Sequence, residues 1–119
     1  DEETCANAAH GGHLEVLQWA HANDCPYDEK ELHIAAEIGH EAIVRALIEA
    51  GADVNQTSNE CATPLYVAAH EGNETVVRAL IGLGADVNKA VNDGMTPLFI
   101  AAQNGHEAIF QILRDAGAA

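Results

Sequence analysis

The feature that most constrains this chain is its self-similarity. Ala-Ala pairs fall at residues 8–9, 35–36, 68–69 and 101–102. Small-residue turns follow each pair, at Gly12-His13, Gly39-His40, Gly72-Asn73 and Gly105-His106. Both series step by 27, then 33, then 33 residues. Two independent markers that share one spacing mean a chain built from one supersecondary unit used four times. Such a unit cannot cover its own apolar face, so neighbours must stack to bury it.

Each unit has the same internal order. The opening segments are ETCANAA (3–9), KELHIAA (30–36), TPLYVAA (63–69) and TPLFIAA (96–102). In the last two, Thr is placed to cap a helix and Pro sits at the first helical position, where its missing N–H costs nothing. A helix of about two turns is predicted, ending at Gly39, Gly72 or Gly105, where glycine takes a left-handed turn. Gly12 has this part in the first unit. A second helix follows, with apolar stripes at Val16, Leu17 and Ala20; Ile43, Val44, Leu47 and Ile48; Val76, Val77, Leu80 and Ile81; and Ile109, Phe110 and Leu113. Next comes GADVN at 51–55 and again at 84–88. A turn-rich stretch such as Asn92-Asp93-Gly94 then leads to the next Thr-Pro. Aromatic residues are 4% of the chain, so the core must come from Ala, Leu, Ile and Val, which suits thin, closely packed helices.

At these residues the sequence resembles the ankyrin repeat. The 33-residue period and a T-P-L-H-x-A opening are both matched, by TPLYVA, TPLFIA and the Leu-His of KELHIA. The resemblance covers essentially the whole chain. It implies an all-α solenoid of antiparallel helix pairs with β-hairpin-like loops. The expected organisation is one domain over 1–119, with repeats near 1–27, 28–60, 61–93 and 94–119. The departures are informative. The first interval is six residues short, so the first hairpin is expected to be replaced by a tight turn over 24–28. Cys61 stands where the hairpin Gly belongs, which Gly94 keeps. Tyr66 and Phe99 replace the motif His that His33 retains. In the family that His ties neighbouring repeats, so the tie is in doubt at two places. Arg114 stands where Ile48 and Ile81 close the stripe, which fits a polar outer face on a terminal unit.

Function follows from what the surface offers. There is one serine, Ser58, with no nucleophile-elbow context, and no phosphate-cradling glycine loop or dinucleotide fingerprint. Carboxylates recur at exposed repeat positions (Glu41, Glu74, Glu107), as a solvated face would place them. Cys5, His10, His13 and His21 are of zinc-ligand type. His13, however, belongs to the repeated Gly-His turn, and no second pair completes a tetrahedral set. Neither an enzyme nor a metal or other cofactor is therefore expected. The net charge is −14, with five basic against nineteen acidic residues. That field repels nucleic acid and anionic membrane and favours a basic protein partner. Three cysteines leave one unpaired in any disulfide scheme, which fits a reduced, intracellular, cytoplasmic chain expected to be monomeric. No apolar run reaches the length of a membrane helix. The chain opens on Asp, not Met, and stops mid-motif, as a processed product or a piece of something longer would.

The family resemblance implies partner binding on the concave face and the hairpin tips. The matching helix positions are Glu37, Ile38, His70, Glu71, Gln103 and Asn104. The matching hairpin positions are Thr57, Asn59, Glu60, Ala62, Ala90, Asn92, Asp93 and Met95. Ile38 and Met95 are apolar where exposure is expected, and a flexible Met at a loop tip suits a contact. Asn55 and Asn88 each end a Leu-x5-Asp-Val-Asn run. This is similar to the pattern modified in ankyrin repeats by the asparaginyl hydroxylase that acts on hypoxia-responsive factors. The same asparagines are also explained by side-chain bonds to nearby backbone that fix the turn. The alternative to an interaction module is structural: a stretch of a longer array, or an engineered or reconstructed stack, with no partner of its own.

Overall fold

A computed structural model describes residues 29–58 and 62–118. Over them the chain forms six α-helices and no strand. These are α1 (Glu29–Ile38), α2 (Glu41–Glu49), α3 (Pro64–Glu71), α4 (Glu74–Gly82), α5 (Pro97–Gln103) and α6 (Glu107–Asp115). The expectations for the first unit, its tight turn and Cys61 lie outside the described residues.

The helix starts follow the local chemistry. Thr63 and Thr96 are extended N-caps whose hydroxyls accept from the N–H of Tyr66 and Phe99, with Pro64 and Pro97 in the first turn. The unit of α1 has Lys30-Glu31 in place of Thr-Pro, and Glu31 is fully buried at the Pro position. The α3 helix stops on Gly72 at φ 84°, whose N–H bonds Ala68 O, and Gly39 and Gly105 occupy the same place in their units.

The helices form two rows. The first helices pack side by side as α1–α3–α5, and the second helices as α2–α4–α6, each pair closed by a short turn. Between the rows lies one core of Leu32, Ala35, Ala36, Ile43, Val44, Leu47, Leu65, Ala68, Ala69, Val76, Val77, Leu80, Ile100, Ala101, Ile109 and Leu113. Aliphatic residues and alanine fill it, as the low aromatic content requires. Alanine is what lets adjacent first helices approach closely: Ala35, Ala36, Ala68 and Ala69 are all fully buried. Ile48 and Ile81 are half-buried against this core, whereas Arg114 is exposed and its guanidinium carbon lies 5.8 Å from the Phe110 ring centroid.

Among the described residues, the loops between units turn back on themselves through cross-bonds at their bases. Ser58 N–H donates to Ala62 O at 2.9 Å, and Val91 N–H to Met95 O at 3.0 Å. Each loop is therefore hairpin-like at its base without forming a ladder. The lone serine helps to close its loop, because its hydroxyl accepts from Ala62 N–H at 3.3 Å.

Candidate functional site

Three sets of side chains join one unit to the next, and they delimit what remains for recognition. At the turn end, Asn73 Nδ2 donates to Ala36 O at 2.7 Å and to Glu37 O at 2.9 Å. One unit on, His106 Nε2 lies 3.2 Å from His70 O. The turn His or Asn thus reaches back to the carbonyls ending the preceding first helix, where helical partners have run out. At the loop end, Asp53 and Asp86 each accept from the N–H two residues on, at 2.9 Å in both cases. Asn55 Oδ1 then accepts from Asp86 N–H at 2.7 Å, 31 residues away. In the middle, His33 Nε2 lies 2.9 Å from Ala62 O, in the tautomer that carries the proton there. The motif His therefore makes its tie to the next unit; Phe99 has no polar side-chain atom with which to do the same.

The positions picked out in the sequence divide into three groups. Glu37, Ile38, His70, Glu71, Gln103, Asn92 and Asp93 are exposed, and Thr57 and Ala90 are half-buried. Asn59 and Glu60 lie outside the described residues. The third group departs from expectation. Ala62 is only 8% exposed, and Met95 is half-buried against the core rather than free at a loop tip. Both immediately precede a Thr cap, where the chain turns inward to begin a helix and packs the preceding side chain beneath it. Asn104 is exposed, but its amide donates to His70 O at 3.0 Å, so it serves the junction as well as the surface. Asn55 differs from its expected role too. The local turn is held by Asp53, while the Asn55 side chain bridges units.

Two residues singled out only as departures from the motif belong to this surface. Phe99 is 54% exposed, the largest exposure of any bulky apolar side chain among the described residues. Tyr66 is half-buried and borders two open grooves. One, of about 300 Å³, lies between α1 and α3 and includes His33, Glu37, Val67, His70 and Glu71 in its lining. The other, of about 310 Å³, lies against the next loop at Val91, Asn92 and Asp93. The signal was present in the 33-residue step from His33 to Tyr66 to Phe99, which marks one row on the first helices. A third groove, of about 410 Å³, is at the far end of the stack, lined by Ala101, Ala102, Gly105, His106, Phe110 and Gln111 among others.

The two helix rows differ in where the arginines sit, though both are net acidic. All three arginines are on second helices: Arg45 bonds Glu41 at 3.3 Å, Arg78 bonds Glu74 at 3.0 Å, and Arg114 covers Phe110. The first-helix side carries Glu37, His70 and Glu71, with His70 Nδ1 3.1 Å from Glu71 Oε1. Among the described residues no group of three or more His, Cys, Asp or Glu is placed to hold a metal ion, and no helix is long and apolar enough to cross a membrane. The candidate ligands Cys5, His10, His13 and His21 lie outside those residues.

Capped helix pairs in two stacked rows, joined at a fixed interval by side chains reaching back one unit, define a helical-repeat solenoid. The family model described as ankyrin repeats (3 copies) matches residues 5–91 and 32–119, and the chain belongs to that family. Ankyrin repeats are generally protein-interaction modules and typically non-catalytic. No curated protein matches the chain closely enough to suggest a narrower role.

Proposed function

We propose that this chain is a non-catalytic module that binds a protein partner through the first-helix side and the loops beside it. The observation that carries this reading is the aromatic row. Tyr66 borders two grooves and Phe99 stands 54% exposed. Aromatic side chains rimmed by polar groups are what interface centres use. Glu37, Ile38, His70, Glu71 and Gln103, with Asn92 and Asp93 on the loop, lie exposed on that side, and Thr57 and Ala90 are half-buried beside them; Asn59 and Glu60 are included on the family resemblance alone. Ala62 and Met95 pack inward beneath it, and the exposed Asn104 ties its end to His70 O of the preceding unit. The net charge of −14 favours a basic partner over nucleic acid or a membrane surface. We read the chain as one domain of four units at 1–27, 28–60, 61–93 and 94–119, monomeric and cytoplasmic.

The test is affinity capture followed by mass spectrometry with three baits: the native chain, Phe99→Glu, and Arg78→Ala on the opposite row. A protein retained by the native and Arg78→Ala baits and lost by Phe99→Glu supports the reading. Retention by all three, or recovery of only RNA or a small molecule, overturns it. The second reading is a stretch of a longer array with no partner of its own. Sequencing the parent transcript decides it, since further in-frame units after the fourth would establish the array.

A further inference from the structure

We propose that the groove between α1 and α3 receives an arginine side chain of the protein partner. This rests on the first-helix side being the interaction surface and names the chemistry recognised there. A guanidinium seeks a flat π face, a carboxylate fork and an apolar wall for its methylene stem. The groove supplies each: the Tyr66 ring, Glu37 from one unit with Glu71 from the next, and Val67. His70 lies 3.1 Å from Glu71 through Nδ1, and its ring centroid is 6.4 Å from that of Tyr66. With the proton on Nδ1 it donates to Glu71, which restrains that carboxylate before a partner arrives, and its other nitrogen becomes an acceptor.

Charge complementarity sets the sign of the occupant. An anionic or phosphorylated segment would face two carboxylates. The chain's own arginines are committed elsewhere, to Glu41, to Glu74 and to the Phe110 ring. A lysine would find the carboxylates but, as a compact and strongly hydrated point charge, would use the ring face and the carboxylate fork less well. The span between units matters as well. Glu37 and Glu71 come from adjacent first helices whose spacing is held by the bond from Asn73 to Ala36 O and Glu37 O, so the backbones that carry the two carboxylates keep a set spacing.

The test is an NMR titration of the ¹⁵N-labelled full chain with the peptide acetyl-Gly-Arg-Gly-Arg-Gly-amide. Matched peptides carry lysine or uncharged citrulline in place of arginine. Shift changes should concentrate at residues 33–37 and 66–71, with the arginine peptide binding about tenfold more tightly than citrulline and measurably more tightly than lysine. Glu37→Gln combined with Glu71→Gln should remove the preference, and Tyr66→Ala should weaken it while Tyr66→Phe preserves it. Helical circular dichroism confirms that each variant is folded. Shifts scattered over the acidic surface, equal affinity for lysine or citrulline, or indifference to the double variant would overturn the proposal. The two readings fail separately. A partner lost by Phe99→Glu but kept by the double Gln variant leaves the interaction surface standing and removes arginine recognition.

Discussion

Gly72 is constrained twice over. Its φ of +84° is one that side chains rarely adopt, and a Cβ there would meet His106 Cε1 at 2.8 Å. Gly84 has a similar φ of +97° with open space around it. The pair separates backbone strain from crowding. Gly84→Ala should cost about 1–2 kcal/mol for the left-handed conformation alone. Gly72→Ala should cost about 1–3 kcal/mol more, because the ring that ties the next unit must move. Urea denaturation of both variants measures the difference, and equal midpoints would show that His106 is not held. Asn55 gives a second residue-scale prediction. Asn55→Ala removes the acceptor for Asp86 N–H and should destabilise by about 0.5–1.5 kcal/mol. We propose Asn55 and Asn88 as sites for asparaginyl hydroxylation. The Asn55 side chain is engaged at 2.7 Å, so a one-oxygen gain at Asn55 should be greater on urea-loosened than on folded chain. Peptide mass spectrometry with no gain on either leaves Asn55 a junction residue only. The Asp-Val-Asn motif announced a turn. It did not reveal that Asn55 acts across the junction, because its partner lies 31 residues away and becomes adjacent only once units stack.

At the scale of the helix, the 33-residue period, the apolar stripes and the Thr-Pro starts together were sufficient to place every described helix, although only α3 and α5 start on a capping Thr followed by Pro. The second helices are less self-contained. Their N-caps are His40, Asn73 and His106, and none makes a side-chain capping bond. The side chains of Asn73 and His106 instead serve the preceding unit, which a single-helix argument does not foresee. Within α4, Leu80 is fully buried among both neighbouring units. Leu80→Ala should cost about 2–5 kcal/mol through lost transfer energy and the cavity left behind. An unchanged denaturation midpoint would mean that the stripe faces elsewhere. In α6, Arg114 occupies the Ile position and covers Phe110 beside the exposed Ala102. Arg114→Ile would join these into one apolar end. Concentration-dependent association of that variant, seen by sedimentation and absent from the native chain, is expected; a strictly monomeric variant would contradict it.

For the whole molecule, the repeat period placed one exposed row of first-helix residues but not its relief. Counting in steps of 33 placed Glu37, His70 and Gln103 on one row, and the described structure exposes all three. It could not show that Ala62 and Met95 turn inward, since their burial depends on how each loop enters the next helix. Nor could it show that Tyr66 borders two grooves, since each groove is made by two units together. The acidic excess bears on kinetics. Glu37, Glu71 and Asp93 are exposed and contribute to a net charge of −14. Association with a basic partner should therefore slow steeply between low and physiological salt, as the screening length shrinks to about 8 Å. A stopped-flow rate that is indifferent to salt would remove long-range steering.

The turn-end and loop-end joints use positions that line neither groove, whereas the middle joint, His33 to Ala62 O, is shared with the groove between α1 and α3. Gly39 with Asn73, Gly72 with His106, and Asn55 with Asp86 set the spacing of the stack, and none of them lines either groove beside Tyr66. Single substitutions at Glu37, Tyr66, His70 or Phe99 can thus revise the proposed interaction surface while these joints stay in register. Whole 33-residue units can equally be exchanged, because Asn and His perform the same reach-back at successive joints. Surface and frame in such a chain are therefore inherited largely apart, and only a shared joint such as His33 with Ala62 obliges selection to answer to both at once.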